Sequence, residues 1–165
     1  MSDDRLGVPS IRRVVTGHAE SREAKVMLDD LASNIRVRPK ASSTTIWCTE
    51  GFPVQVQVRE SGPDLGARSI ATGTPSRGTR FMIMDLLPGC EGAMHRTDTL
   101  DYVVVMQGEV EMRMDHSSVT LKQGDVLVQQ ATVHAWLNRT DKPARMAVVL
   151  VEAEALGEGF PPARK

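Results

Sequence analysis

Apolar positions along residues 80–152 recur in short runs cut by turn residues, a pattern that predicts strands rather than helices. "TRFMIMDLL" reads as a strand that stops at Pro88-Gly89. "DYVVVMQGEVEMRMD" reads as a hairpin about Gln107-Gly108. In its second arm Val110, Met112 and Met114 share one face, and Glu109, Glu111 and Arg113 share the other. That alternation describes a strand with one dry side and one wet side. "HSS" makes a turn, and "VTLKQGD" leads to a second turn at Gly124-Asp125. "VLVQQ", "HAWLN" and "ARMAVVLVEA" complete the set, with Asp141-Lys142-Pro143 breaking the last pair. Short strands with a turn about every 8–12 residues predict an all-β sandwich or barrel.

The N-terminal third is less regular. "IRRVVTG", "AKVMLDD" and "STTIWCTE" each read as a short strand. Residues 51–78 are rich in Gly, Pro, Ser and Arg and form a long connection with one candidate strand, "PVQVQV". A connection of this length in a compact domain is expected to have a use, as a cover for the barrel, a lid or a reach to a second subunit. Residues 1–79 are therefore expected to belong to the same domain as the barrel and to supply a dimer contact. Residues 80–153 form the barrel core, and residues 154–165 a loosely ordered tail.

Charge changes the picture only by exclusion. The 165 residues carry 20 basic and 21 acidic side chains, and no basic block stands out. Nothing here grips nucleic acid or an anionic membrane. No apolar run approaches the roughly 20 residues that span a bilayer. The polar start "MSDDRLGVPS" has no apolar signal core, so a cytoplasmic protein is expected. Cys48 and Cys90 are far apart and form no CxxC pair, which reads as two free thiols in a reducing compartment. P-loop, dinucleotide fingerprint, nucleophile elbow and helix-turn-helix patterns are absent, so no nucleotide cofactor is expected.

One segment stands out, "HRTDTLDY", from His95 to Tyr102 at the mouth of a strand. Gly89, five residues, His95-Arg96-Thr97, three residues, Asp101, six residues and Gly108 follow in order. Further on, Gly124-Asp125 is followed by "VLVQQATV", His134, "AWL" and Asn138. The two stretches resemble the two sequence motifs of the cupin superfamily, small barrels of jelly-roll type, over about residues 80–152. The first motif of that family is Gly-x5-His-x-His-x3,4-Glu-x6-Gly, and the second is Gly-x5-Pro-x-Gly-x2-His-x3-Asn. Here Thr97 stands in place of the second histidine and Asp101 in place of glutamate. Gln129 replaces proline, Ala131 replaces glycine, and the spacing ahead of His134 is one residue short. The chain looks like a small single-domain member with a conserved Cupin_2-type barrel. The resemblance implies an all-β, cupin-like jelly-roll β-barrel with additional N-terminal strands.

Strand parity puts His95 and Thr97 on one face, and His134, Trp136 and Asn138 on one face of a later strand. His95, Asp101 and His134 could then converge as two imidazoles and a carboxylate, a set that suits Fe, Mn, Ni or Zn with open positions for substrate. Against this set, aspartate has one methylene less reach than glutamate, about 1.5 Å. The alternative is a barrel without metal, in which the histidines hydrogen-bond Asp101, Thr97 or a carbonyl. In that case a His–Asp pair still offers a general base and its orienter, with Asp101 and His134 the catalytic candidates. Asn138 is expected to orient His134, and Trp136 to line the interior and stack on a planar ligand. Val103, Val105, Met112, Met114, Val126 and Val128 are expected to form apolar walls. The pocket is thus read as Thr97, Trp136, Asn138, Val105 and Met112 around the histidines. Tyr102 is expected to point outward. Arg96 and Arg139 are expected to pair with surface carboxylates. Unpaired edge strands of such barrels often pair across a two-fold axis, which predicts a homodimer. Two functions stay open. One is a cupin-type enzyme, metal-assisted, that isomerises, decarboxylates, dehydrates or oxygenates a planar or carbonyl-bearing metabolite. The other is a non-catalytic module that binds or senses a small molecule without metal.

Overall fold

A computed structural model describes residues 8–56 and 62–163. Every helix or strand among them is a β-strand. The order is β1 (Arg12–His18), β2 (Ala24–Leu31), β3 (Ile35–Arg38), β4 (Ala41–Thr49), β5 (Thr79–Leu86) and β6 (Cys90–Glu91). It continues with β7 (Thr99–Gln107), β8 (Glu109–Met114), β9 (Ser118–Lys122), β10 (Val126–Gln130), β11 (His134–Asn138) and β12 (Ala144–Glu152). Three strands expected in the N-terminal third are present, as β1, β2 and β4. The segment Ile35–Arg38 is not among the expected strands. It forms β3, an edge strand on β4, where its arginines stay in solvent. Residues 53–56 form no strand, and the rest of "PVQVQV" lies outside the described residues.

The strands form a six-stranded sheet in the order β10-β7-β12-β5-β4-β3, a four-stranded sheet in the order β6-β11-β8-β9, and the β1–β2 pair. All pairings are antiparallel. The two larger sheets face each other across one apolar cluster that includes Leu86, Val103, Val105, Met112, Met146 and Val148. On the outer side of the six-stranded sheet, Ala32, Ile46 and Ile83 form a smaller cluster. This is the two-layer jelly-roll barrel, with N-terminal strands that extend one sheet.

The expected hairpin about Gln107-Gly108 is not formed. β7 belongs to the six-stranded sheet and β8 to the four-stranded one, so the chain crosses between layers there. Gly108 adopts φ 76°, and a Cβ on it would lie 2.8 Å from the Pro143 carbonyl oxygen. The corner therefore requires glycine twice over, by its positive φ and by the close backbone. β8 does pair with β9, as a hairpin about residues 115–117.

Val126 and Val128 are not barrel walls. They are 72% and 57% exposed, while Leu127 and Gln129 turn inward. The cause is register. Gln129 lies opposite Asp101, whose side chain is buried, and Val128 lies opposite Tyr102, which faces out as expected. Val105 and Met112 are buried in the apolar cluster and do not border the cavity described next. The connection 62–78 packs on the barrel instead of projecting from it. Arg13 on β1 is buried and bidentate to both Asp30 and Asp64, and Asn34 donates to the Gly66 and Arg68 carbonyls. The tail is tied as well, because buried Arg96 donates to Pro161 O at 2.8 Å and pairs with Asp98. Arg139 does bridge Glu91 and Glu111 at the surface.

Candidate functional site

A cavity of about 690 Å³ opens between the two sheets. His95, Thr97, Asp101, His134 and Trp136 border it, Asp101 from the six-stranded sheet and His134 and Trp136 from the four-stranded one. His134 begins β11, and His95 lies on the crossing from β6 to β7. The two backbones pair as an isolated antiparallel bridge, His95 N to His134 O at 2.9 Å and His134 N to His95 O at 2.8 Å. The bridge brings the rings to 4.6 Å between centroids. Trp136, two residues along β11, meets His134 edge-on at 5.9 Å. Period-2 parity therefore does place His134 and Trp136 on one face, as expected.

Each imidazole is held the same way. His95 Nδ1 lies 3.0 Å from Ala93 O, and His134 Nδ1 lies 3.0 Å from Thr132 O. A carbonyl only accepts, so Nδ1 carries a proton in both rings, and the lone pair of the neutral form lies at Nε2. Burial pushes the His134 pKa down. The Thr132 contact opposes this shift, and the charge of His95 adds to it. His134 is thus neutral at physiological pH and basic at Nε2.

Asp101 sits on β7, buried, with one oxygen partnered and one orphaned. Gln129 donates to its Oδ2 at 3.1 Å, while Oδ1 has no hydrogen-bond partner among the described residues. Burial pushes this carboxyl above the usual carboxylate range, against the pull of Thr99, Gln129 and the His95 charge. Gln129 is a site residue that the sequence reading misses. Its amide oxygen also accepts from Thr132 N at 2.7 Å and Thr132 Oγ1 at 3.2 Å. One buried amide thus orients the carboxylate and also shapes the turn that delivers Thr132 O to His134. The turn is tight enough to hold Ala131 at φ 51°, where the motif has glycine. The inward parity of Gln129 opposite Asp101 is the signal that could have found it.

Asn138 does not do what is expected of it. It is buried, but its amide donates to Leu86 O and Lys142 O at 2.8 Å each, and its oxygen accepts from Thr140. It stitches the β11–β12 turn to β5, away from His134, and does not border the cavity. Thr97 does border it, with its hydroxyl 2.7 Å from that of Thr99. Cys90 also borders it, with a thiol pushed up by burial, and Cys48 is likewise buried and free.

The structure brings His95 and His134 together and puts Asp101 in the same cavity, yet the trio does not close into a metal cage. Among the described residues no three His, Cys, Asp or Glu side chains are grouped to hold an ion. Two tethered imidazoles suit a metal, but catalytic zinc sites, for comparison, use three protein ligands. The donor set present here falls short of that.

The six-stranded sheet also brings cations to the cavity. Arg36, Arg38 and Lys40 of the β3–β4 arm border the cavity, as does Arg80 of β5, two strands from Asp101 with Leu150 of β12 paired to both. Arg80 shares the inward parity of Met82, Met84 and Leu86, and this phase is legible in "TRFMIMDLL". The sequence reading assigns it no role.

The Cupin_2 family model, described as a cupin domain, matches residues 82–151. Over 164 residues the chain is 30% identical to the cupin-domain-containing oxidoreductase virC of Hypocrea virens, covering 90% of this chain and 80% of that one. The chain belongs to the cupin superfamily. This cupin is also 29% identical over 159 residues to the cupin-domain-containing oxidoreductase fogC of Aspergillus ruber, across 88% of this chain and 74% of that one. It is 43% identical over 81 residues to phomopsin biosynthesis cluster protein C′ of Diaporthe leptostromiformis, across 48% of this chain, and there it spans only 43% of the relative's length. Among solved structures, the cupin domain of Schizosaccharomyces pombe Cnp3 superposes with TM-score 0.53 at 8% identity, over 88% of each chain, which supports the fold alone. No helix among the described residues is long and apolar enough to cross a membrane.

Proposed function

We propose that this cupin is a small-molecule enzyme in which His134 and Asp101 move protons on a planar, carbonyl-bearing metabolite held in the cavity. One observation carries the reading. A neutral imidazole with Nδ1 tied to Thr132 O and a buried carboxyl with an orphaned oxygen border the same space. Environments that push an acid up and a base down set a pair for general acid–base work near neutral pH. In the step proposed, His134 Nε2 takes a proton from the carbon beside the carbonyl, and protonated Asp101 gives its proton to the carbonyl oxygen. A C–H bond breaks, an O–H bond forms, and the enol results with an imidazolium and a carboxylate. For a ketone unsaturated one bond further along, the imidazolium then gives its proton to the γ carbon while the Asp101 carboxylate takes back the enol O–H proton, which completes an isomerisation and restores both groups. Trp136 offers an aromatic edge and face to a planar substrate. The relatives named oxidoreductases support a redox outcome in the same pocket, for which this proton transfer is the part that the chain's own residues supply. Those named as biosynthesis cluster proteins support a biosynthetic setting.

The experiment is deuterium exchange. Wild-type protein in D2O is mixed with a panel of aryl ketones, and loss of the proton signal beside the carbonyl is followed by NMR. Enzyme-dependent exchange that disappears in His134→Ala and Asp101→Asn is expected. A wild type that exchanges no member of the panel sinks the enzymatic reading, and bound ketones without exchange point to a binding or sensing module. Metal assistance is a second reading on one specific observation, the two imidazoles with Nδ1 tied and Nε2 free. Its test is the metal content of wild type against His134→Ala by plasma mass spectrometry. Fe, Mn, Ni or Zn near one per chain that is lost in the variant supports it, and an empty wild type after anaerobic Fe(II) incubation ends it.

A further inference from the structure

Three buried or half-buried arginines of this chain each face a carboxylate. Arg13 holds Asp30 and Asp64, Arg96 holds Asp98, and Arg145 holds Asp85. Arg80 does not. It is 6% exposed, its Nη2 donates to Thr45 Oγ1 at 2.9 Å, and its Nε is buried with no hydrogen-bond partner among the described residues. Among the described residues no carboxylate lies within ion-pair distance of it. The neighbouring charges make this worse, since Arg36 and Arg38 stand on the same wall. Burial pushes the Arg80 pKa down. The Cys48 thiol opposes this shift, while the two neighbouring arginines add to it. Guanidinium stays protonated in proteins regardless. A buried cation without an anion is a standing cost, which a fold does not carry without a use.

Position tells what the use is. Arg80 borders the main cavity and also a smaller adjoining cavity of about 350 Å³. The residues common to both are Arg36, Ser43, Ala71 and Arg80. Arg36 is itself fixed, donating to Ala71 O at 2.6 Å, so the 62–78 connection supports this corner. The corner offers a planar guanidinium fork with an unused donor, a second arginine and a hydroxyl. That set fits a carboxylate, which Arg binds bidentately. We infer that the substrate carries a carboxylate, anchored at Arg80 with Arg36 and Ser43, which turns its reactive end toward His134 and Asp101. Only the last clause rests on the enzymatic reading above. The anion site stands without it.

The test is equilibrium binding by calorimetry with a matched pair, 4-acetylbenzoate and 4-acetylbenzamide, which share shape and differ in charge. Wild type is expected to prefer the acid by at least about tenfold, the scale of one charge-assisted bidentate contact. Arg80→Met is expected to erase the preference, and Arg80→Lys to restore part of it. Thermal melting of the ligand-free proteins supplies an independent readout. Arg80→Met should melt higher than wild type, because it removes a buried charge that has no partner. Equal affinity of wild type for acid and amide overturns the inference. So does an Arg80→Met protein that fails to fold or melts lower, because Arg80 would then be a structural cation. His134→Gln is expected to keep the acid preference, so loss of exchange with the preference intact brings down the enzymatic reading alone.

Discussion

Asp101→Asn isolates the cost of the buried carboxylate. Among the described residues Oδ1 has no hydrogen-bond partner, while Oδ2 accepts from the Gln129 amide. An ionised oxygen left unsatisfied costs at least about 1–3 kcal/mol. Asparagine keeps the shape. Its oxygen can accept from Gln129 as Oδ2 does, and its amide takes the orphaned position as a neutral group, so the gain is the desolvation of charge alone. Because the folded carboxyl lies above its unfolded value, it binds its proton more tightly in the native state. Its contribution to stability is therefore present at low pH and lost as pH rises through the folded pKa, at about 1.4 kcal/mol per unit of difference. The asparagine side chain does not titrate. Melting curves for both proteins from pH 4 to pH 8 should nearly coincide at the acid end and separate toward neutrality. At pH 8 the variant should lead by about 1–3 kcal/mol, or roughly 2–8 °C for a domain of this size. A variant that melts lower at pH 8, or a gap that does not change with pH, refutes the account of Asp101 as an under-satisfied carboxylate.

Other expectations follow from the same geometry. Turnover in the exchange assay should fall on the acid side as His134 protonates, at a pH below the ordinary imidazole value because burial depresses it; a midpoint above that value contradicts the base assignment. Gln129→Leu removes the bond to Asp101 and two to Thr132, which should cost about 2–4 kcal/mol in urea melts and move the Asp101 carboxyl titration upward by NMR; an unmoved titration would show that Gln129 does not hold the carboxylate. Arg13→Met leaves Asp30 and Asp64 without their shared cation, and with both carboxylates partly in solvent the expected loss is about 1–3 kcal/mol; a neutral effect would mean that the clamp adds no stability. Tyr102, Val104, Val126 and Val128 leave an apolar outer face on β7 and β10. Sedimentation should give a homodimer that Val128→Lys splits, and a monomeric wild type ends that expectation.

How far the sequence can be read depends on what alternation encodes. Period-2 phase finds strands and faces, so β5, β8, β11 and β12 are legible, as are the inward His134 and Trp136. It does not say which sheet a strand joins. Gly108 looks like a hairpin turn because any glycine between two alternating arms does, and only the strand partners of the two arms, β10 and β12 for β7 but β9 and β11 for β8, show that the chain crosses layers. β3 escapes the pattern because Arg36 and Arg38 break an apolar count, although an edge strand tolerates charge in solvent. Val126 and Val128 read as interior because they are apolar residues of β10. The polar Gln129 has the inward phase, and its reason is Asp101 across the ladder. Asn138 has the right phase and the wrong height, since a strand of five residues carries it past the cavity to the far turn.

Height along the barrel is the variable that sequence phase cannot supply, and it separates the two halves of this interior. The inward positions that fill one half are Leu86, Val103, Val105, Met112 and Met146, which need no partners. The inward positions at the other half are Arg80, Asp101, Gln129 and His134. A chain selected for stability alone would have continued the apolar series, since Arg80→Met and Asp101→Asn each remove an under-satisfied charge. Local rules are broken around one cavity, where Arg80 and Asp101 flank Leu150 on the six-stranded sheet and His134 stands on the four-stranded sheet. Conflicts of this kind concentrate where binding or chemistry demands them. The cation and the acid–base pair around this one cavity therefore say more together about what enters it than either does alone. The occupant presents a negative end to Arg80 and a proton-exchanging end to His134 and Asp101.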